Sequence, residues 1–371
     1  MQISSNLNNP IINSTRDYLP PSLSDAKVEK GEEAKAIDGF ADSVTVSVGG
    51  HKIEAPLLSS RISGECKPVK LPEEQAPKLE RPVLFLHGYM GKPEEFKEMS
   101  EWMSREGQNV NGGIINVDNL NELDPKANMF TLAFTKPYQT MDVNAAEIKK
   151  TVEAICKATG YETIDIVAHS KGGLDARTYM MDADERVDHI VTIGTPHKGS
   201  PLANIELVVR EELNKPVFPP IKDPQINKSL RELSVDTVNS KGQHSNQVLH
   251  DLNENWDIQS GRAEYLAISG RGVITITEPA GVSFKGDGVV SLKSSSALKG
   301  AEKSQVKYRH HGDLPQTAKV MVKVADFLTG HTSVEDADED IITEQGTAVA
   351  ASDNKSAETL GADSLDGYFF S

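Results

Sequence analysis

Three residues of this chain, Ser170, Asp287 and His311, have the types needed to turn a hydroxyl into a nucleophile. A serine attacks a carbonyl only when a base removes its proton, and the base needs a carboxylate to orient it and to stabilise its cation. Ser170 stands in Ala168-His169-Ser170-Lys171-Gly172, directly after the β-branched run of Ile164, Ile166 and Val167. Leu174, Ala176 and Tyr179 then begin a helix. A serine on such a strand-to-helix turn has its Oγ held clear of the sheet, where the helix dipole favours negative charge. Small flanking residues let strand and helix approach, and Ala168 stands where a glycine is usual. Read alone, the pentapeptide also fits an N-cap serine on a glycine-loosened helix.

An attacked ester carbonyl becomes an oxyanion, which two aimed backbone N–H groups can hold. Lys171, next to the serine, is one candidate donor. Tyr89 is the other, because Gly88 in "LFLHGYMG" allows close backbone approach, while His87 reads as a packed, hydrogen-bonded residue. The acid and base should follow the serine in that order. Asp287 in "FKGDGVV" is by itself an ordinary turn-former, but its position and order favour the acid. The base is His311 or its neighbour His310, of which His311 lies closer to the final helix and is preferred. His189, His244 and His331 lack such a context and read as structural or solvated.

These residues need strand ends and loops to carry them. The apolar runs "PVLFLHG", "GGIINV", "TIDIVAH", "HIVTIG" and "AEYLAIS" read as buried strands, with "SQVKYR" a further strand-like segment. Helical patterns lie between them: "PEEFKEMSEWMSREG", then "DVNAAEIKKTVEAICKATG" with Ile148, Val152 and Ile155 in phase and Gly160 as a stop, and last "LPQTAKVMVKVADFLTG". The alternation predicts an α/β architecture, a mostly parallel central sheet with helices on both faces, over residues 80–330. Residues 1–42 read as disordered, 43–79 as a hairpin and connector (Val44, Val46 and Val48 alternate before Gly49-Gly50), and 331–371 as an acidic disordered tail. Residues 200–260 break the rhythm with a long, Pro-punctuated insertion.

Bulk properties narrow the function classes. A formal net charge of -16 argues against nucleic acid as a partner and disfavours adhesion to anionic membrane through bulk charge, leaving insertion of an apolar patch open. No apolar run approaches membrane-spanning length. The two cysteines, Cys66 and Cys156, do not suggest a disulfide framework. The N-terminus lacks an ordinary secretory signal, which leaves a cytoplasmic location or an unconventional export route.

"HSKGGLDARTYM" followed by "VTIGTPHKGSPLA" resembles the α/β-hydrolase fold lipases, in particular bacterial and fungal triacylglycerol lipases. "LFLHGYMG", "GDGVVSLKSS" and "HHGDL" fall in that family's places, so the likeness covers about residues 80–330. The resemblance implies an α/β-hydrolase fold with residues 200–260 as a lid. It implies hydrolysis of carboxylic esters of lipids at a membrane or lipid-droplet surface. It assigns Ser170 as nucleophile, Asp287 as acid, His311 as base, and the backbones of Tyr89 and Lys171 as oxyanion donors. No cofactor is implied. The family's calcium site is matched only in part: Asp313 fits one ligand, Thr317 stands where a glutamine is expected, and no aspartate lies between Asp257 and Asp287, so no metal is assigned. A phospholipase or acyltransferase on the same residues, a small-ester or amide hydrolase, and a non-catalytic scaffold are the alternatives.

Overall fold

The computed structural model describes residues 27–29, 43–48, 51–56, 70–182, 186–213, 223–277 and 281–331. The expectations for the rest of the N-terminal segment, for Cys66 and for the tail beyond residue 331 lie outside these. Strands β1 (Lys27–Glu29), β2 (Ser43–Val48) and β3 (His51–Pro56) form an antiparallel sheet, with Val48 opposite His51. β1 falls inside the segment read as disordered. It pairs Val28 with Val46, and three residues are too few to show a period in the sequence.

The central sheet contains β4 (Val83–Leu86), β5 (Asn111–Ile115), β6 (Met129–Leu132), β7 (Ile164–His169), β8 (Val187–Ile193), β9 (Glu264–Arg271) and, after a two-stranded ribbon of β10 (Thr275–Thr277) and β11 (Gly281–Ser283), β12 (Glu302–Lys307). Its order is β12-β9-β8-β7-β4-β6-β5 and every pairing is parallel. Alternate residues sort to opposite faces. Leu84, Leu86, Ile164, Ile166 and Ile190 face one layer, containing α2 (Met141–Thr159) and α3 (Lys171–Met181). Val83, Phe85, Val167, Val191 and Ile268 face the other, formed by α1 (Lys97–Ser104) and α9 (Ala318–Thr329). A parallel sheet covered on both faces must be apolar throughout, which is why its central strands read as unbroken apolar runs. β6 was not anticipated: its four residues are all buried, so "MFTL" is short and shows no alternation.

α2 ends where expected, with Gly160 at φ 79° donating its N–H to the Cys156 carbonyl. Cys156 is buried, and its thiol donates to the Glu162 carbonyl at 3.6 Å. The described residues between 201 and 260 include α4 (Pro201–Leu213), α5 (Pro224–Leu233), α6 (Gln247–Glu254) and α7 (Trp256–Ser260). Leu207, Ile226, Leu230, Leu233, Leu249 and Leu252 from these helices pack with Tyr89, Met141 and Leu174 into a third apolar cluster. A short helix, α8 (Leu292–Ser295), follows the turn that carries Asp287. Among the described residues, no helix is long and apolar enough to cross a membrane.

Candidate active site

Ser170 is the one residue between the end of β7 and the start of α3. Its φ of 52° and ψ of −125° are conformations that a non-glycine residue adopts at a cost of about 1–3 kcal/mol. Neighbours over-determine the turn. The Ser170 N–H donates to the Ile193 carbonyl at 2.8 Å, and the Gly173 N–H returns to the Ser170 carbonyl at 3.1 Å. A Cβ on Gly172 would come within 2.7 Å of the Leu86 and His87 carbonyl oxygens, and one on Gly88 within 2.8 Å of the Ser170 Cβ. Strand, turn and loop therefore touch backbone to backbone. The Ser170 hydroxyl does not cap α3.

The hydroxyl instead lies 2.8 Å from His311 Nε2. His311 follows β12 and opens a short 3-10 segment, and its Nδ1 lies 2.9 Å from Asp287 Oδ2. The carboxylate fixes the proton on Nδ1, so the distal nitrogen faces the serine as an acceptor. Asp287 is fully buried, and its two carboxylate oxygens have different partners. Its Oδ1 accepts the N–H groups of Val289 and Val290 at 3.0 and 2.7 Å, which builds the turn, while Oδ2 holds the imidazole. The His311 N–H also donates to the Asp287 carbonyl at 2.9 Å. Gly194 and Gly270 line this junction: a Cβ on Gly270 would come within 2.6 Å of the Asp287 Cβ. His310 is exposed; His311 is the residue that faces Ser170.

Lys171 directly follows Ser170, and Tyr89 follows Gly88, on which a Cβ would come within 3.4 Å of the Ser170 Oγ. His87 is buried, donates from Nδ1 to the Gly88 carbonyl at 3.0 Å and accepts the Phe134 N–H at Nε2. Burial holds its pKa below the usual histidine value.

Sequence reading missed a second histidine–carboxylate pair. His169, the residue before the serine, is buried with Nδ1 2.8 Å from Glu95 Oε2 and Nε2 3.0 Å from the His311 carbonyl. A carboxylate and a carbonyl are both acceptors, so both ring nitrogens must carry protons and His169 is an imidazolium. Burial opposes that charge, but the Glu95 carboxylate more than offsets it and raises the His169 pKa. Glu95 is correspondingly lowered: burial opposes its charge, and the His169 cation outweighs burial. The Lys171 side chain was also missed. It is buried, with Nζ 2.6 Å from Asp175 Oδ1, while Asp175 Oδ2 accepts from Asn144 Nδ2, tying the first turn of α3 to α2.

Asp236, His244 and His250 converge in the loop before α6 and on α6 itself, with both Nδ1 atoms turned toward Asp236 Oδ2. The two rings are stacked with centroids 3.6 Å apart. Tetrahedral zinc with ~2.0 Å Zn–N bonds would hold two imidazole centroids about 5 Å apart. The arrangement fits a packed, hydrogen-bonded cluster better than a metal centre. Asp313 is exposed, with its backbone carbonyl accepting from Thr317 Oγ1.

Comparison with known proteins places the chain. Residues 79–258 match the family model described as "PGAP1-like alpha/beta domain". Curated triacylglycerol lipases from Pseudarthrobacter phenanthrenivorans and Burkholderia plantarii are each 40% identical over 53 residues, which is 14% of this chain and 17% and 15% of theirs. The match thus spans about one sixth of the length of these relatives. Among solved structures, a lipase from Bacillus licheniformis in its mature form aligns over 72% of this chain and 96% of its own, at 18% identity and a TM-score of 0.44. By its all-parallel sheet, the serine on the turn after β7 and the matched segment, the chain is an α/β-hydrolase-fold protein similar in part to triacylglycerol lipases.

Proposed function

We propose that the protein is a serine hydrolase that cleaves carboxylic esters of lipids through an acyl-enzyme. The observation that carries this reading is the hydrogen-bonded line from Asp287 through His311 to Ser170, ending on a strained turn at the start of α3. His311 Nε2 takes the Ser170 proton as Oγ attacks the carbonyl carbon. The oxyanion then sits against the N–H groups of Tyr89 and Lys171, aided by the N-terminus of α3. As the C–O bond breaks, His311 returns the proton to the leaving alkoxide. It then deprotonates water, which attacks the acyl-enzyme, releases the carboxylic acid and restores Ser170. Asp287 keeps the imidazole tautomer and stabilises its cation throughout.

The preference for lipid esters draws on the partial likeness to triacylglycerol lipases and on the apolar cluster around Tyr89. Leu207, Ile226, Leu230 and Leu249 bring the 200–260 insertion against the proposed oxyanion loop, so we assign that insertion as the cover of the acyl site. Fluorophosphonate labelling of the wild type, absent in Ser170→Ala, together with a p-nitrophenyl ester series of increasing acyl length, tests both parts. Labelling that persists in Ser170→Ala would reject the nucleophile. A rate that falls steadily from the shortest ester would reject the lipid preference.

A further inference from the structure

Strands β10 and β11 pair only with each other, outside the seven-stranded sheet. Ile276 stands opposite Val282 and Thr275 opposite Ser283. Because side chains alternate along a strand, Ile276 and Val282 share one face of the ribbon, and Ile274 and Phe284 lie in the same phase one residue beyond the strand ends. Three of them are largely uncovered: Ile274 is 59% exposed, Val282 50% and Phe284 66%. Tyr308, 54% exposed, lies at the root of the ribbon: its ring approaches Gly272, its N–H donates to the Arg271 carbonyl, and the Gly272 N–H donates to the Phe284 carbonyl. Single exposed apolar residues are ordinary, but a group gathered on one projecting ribbon marks an interaction surface.

Charge indicates what meets this surface. Arg271, Lys285 and Arg309 border the apolar residues, and among the described residues none of the three has an ion-pair partner. The chain as a whole carries a formal charge of -16, so a local basic rim opposes the overall field. Apolar side chains flanked by unpaired cations match the boundary between acyl chains and anionic headgroups. The ribbon is also bonded to the proposed site. Val273 forms a bridge with Asp287, the Val273 N–H donates to the Gly286 carbonyl, and the Gly288 N–H donates to Thr275 Oγ1 at 2.8 Å.

We propose that the β10–β11 ribbon is a docking surface for anionic lipid bilayers, with Ile274, Val282 and Phe284 entering the acyl boundary and Arg271, Lys285 and Arg309 meeting headgroup phosphates. This rests on the reading of the protein as an enzyme of lipid esters. The test uses the full chain and co-sedimentation with phosphatidylcholine vesicles, with and without phosphatidylglycerol, beside hydrolysis of a soluble short-chain ester. Binding should require phosphatidylglycerol and weaken with salt. Val282→Ser with Phe284→Ser should weaken it at least about tenfold, and Lys285→Glu with Arg309→Glu by more than about fivefold per residue. Soluble-ester turnover should stay within about twofold in both variants, a marker of intact folding. As a second readout, Phe284→Trp should shift its emission to the blue on anionic vesicles only, above the buried Trp102 and Trp256. Binding that ignores phosphatidylglycerol, or survives both double variants, overturns the proposal. So does loss of self-association in those variants without loss of vesicle binding, which would make the face an interface between copies. Vesicle binding without soluble-ester turnover would instead reject the hydrolase reading and leave the surface standing.

Discussion

Two histidines lie side by side at the end of the sheet, with ring centroids 4.7 Å apart, and each has a carboxylate on its Nδ1 at nearly the same distance. They differ in what faces Nε2. For His311 it is the Ser170 hydroxyl, which can give up a proton; for His169 it is the His311 carbonyl, which can only accept one. The first ring therefore faces a group that can donate to its Nε2. The second is locked as a cation that ties Glu95 to the backbone of the base loop. Similar parts thus serve as the proposed proton carrier in one place and as a brace in the other, and the chemistry of the distal partner separates them.

The widest separation of the two pairs should come from removing the hydroxyl. Ser170→Ala is expected to lower ester hydrolysis by about 10⁵–10⁶-fold while the fold survives, as checked by turnover and circular dichroism. Asp287→Asn should follow, with kcat down about 10⁴-fold, because an amide allows the wrong imidazole tautomer.

The matching change in the brace, Glu95→Gln, should be far milder: about a tenfold loss in kcat at unchanged KM, and a destabilisation of about 1–3 kcal/mol in denaturant melts. Its pH dependence has a definite sign. The raised His169 pKa makes a contribution that is complete below the unfolded histidine value of 6.5 and lost as pH rises through the folded one. The lowered Glu95 pKa makes one that is present above the unfolded value of 4.5 and lost as pH falls through the folded one. The gap between wild type and Glu95→Gln should be widest in mildly acidic buffer and narrow at both ends. A gap that does not vary with pH would exclude the ion pair.

A third buried carboxyl sharpens the comparison because no histidine faces it. Glu232 on α5 accepts the Met141 N–H at 2.7 Å, and burial pushes its pKa up to about 8 despite Lys171 nearby. The native state then keeps a proton that the unfolded chain releases near 4.5, so stability should fall as pH climbs from that value to about 8. Glu232→Gln should flatten the slope and raise Tm by a few degrees at pH 9. This is the smallest effect of the series.

Much of the site could be read because its parts obey local rules. The turn at Ser170 needs apolar β-branched residues before it, small residues around it and a helical pattern after it, all within fifteen positions. Asp287 and His311 are singled out by type, order and loop context. Glu95 was hidden in "PEEF", which reads as an exposed helix start, because its partner lies 74 residues away and no short pattern links them. β6 escaped because complete burial erases alternation. The apolar face of the β10–β11 ribbon escaped because Ile274, Ile276, Val282 and Phe284 come together only when the strands pair.

The sequence by itself determined the layered α/β architecture and the kinds of groups available for chemistry, since periodicity, capping and turn preference act between near neighbours. Tertiary structure alone decided which of two adjacent histidines meets the hydroxyl, which is held as a cation, and where the uncovered apolar ribbon lies. These depend on the direction and distance of polar atoms contributed by distant segments, and such relations exist only once the backbone has closed on itself.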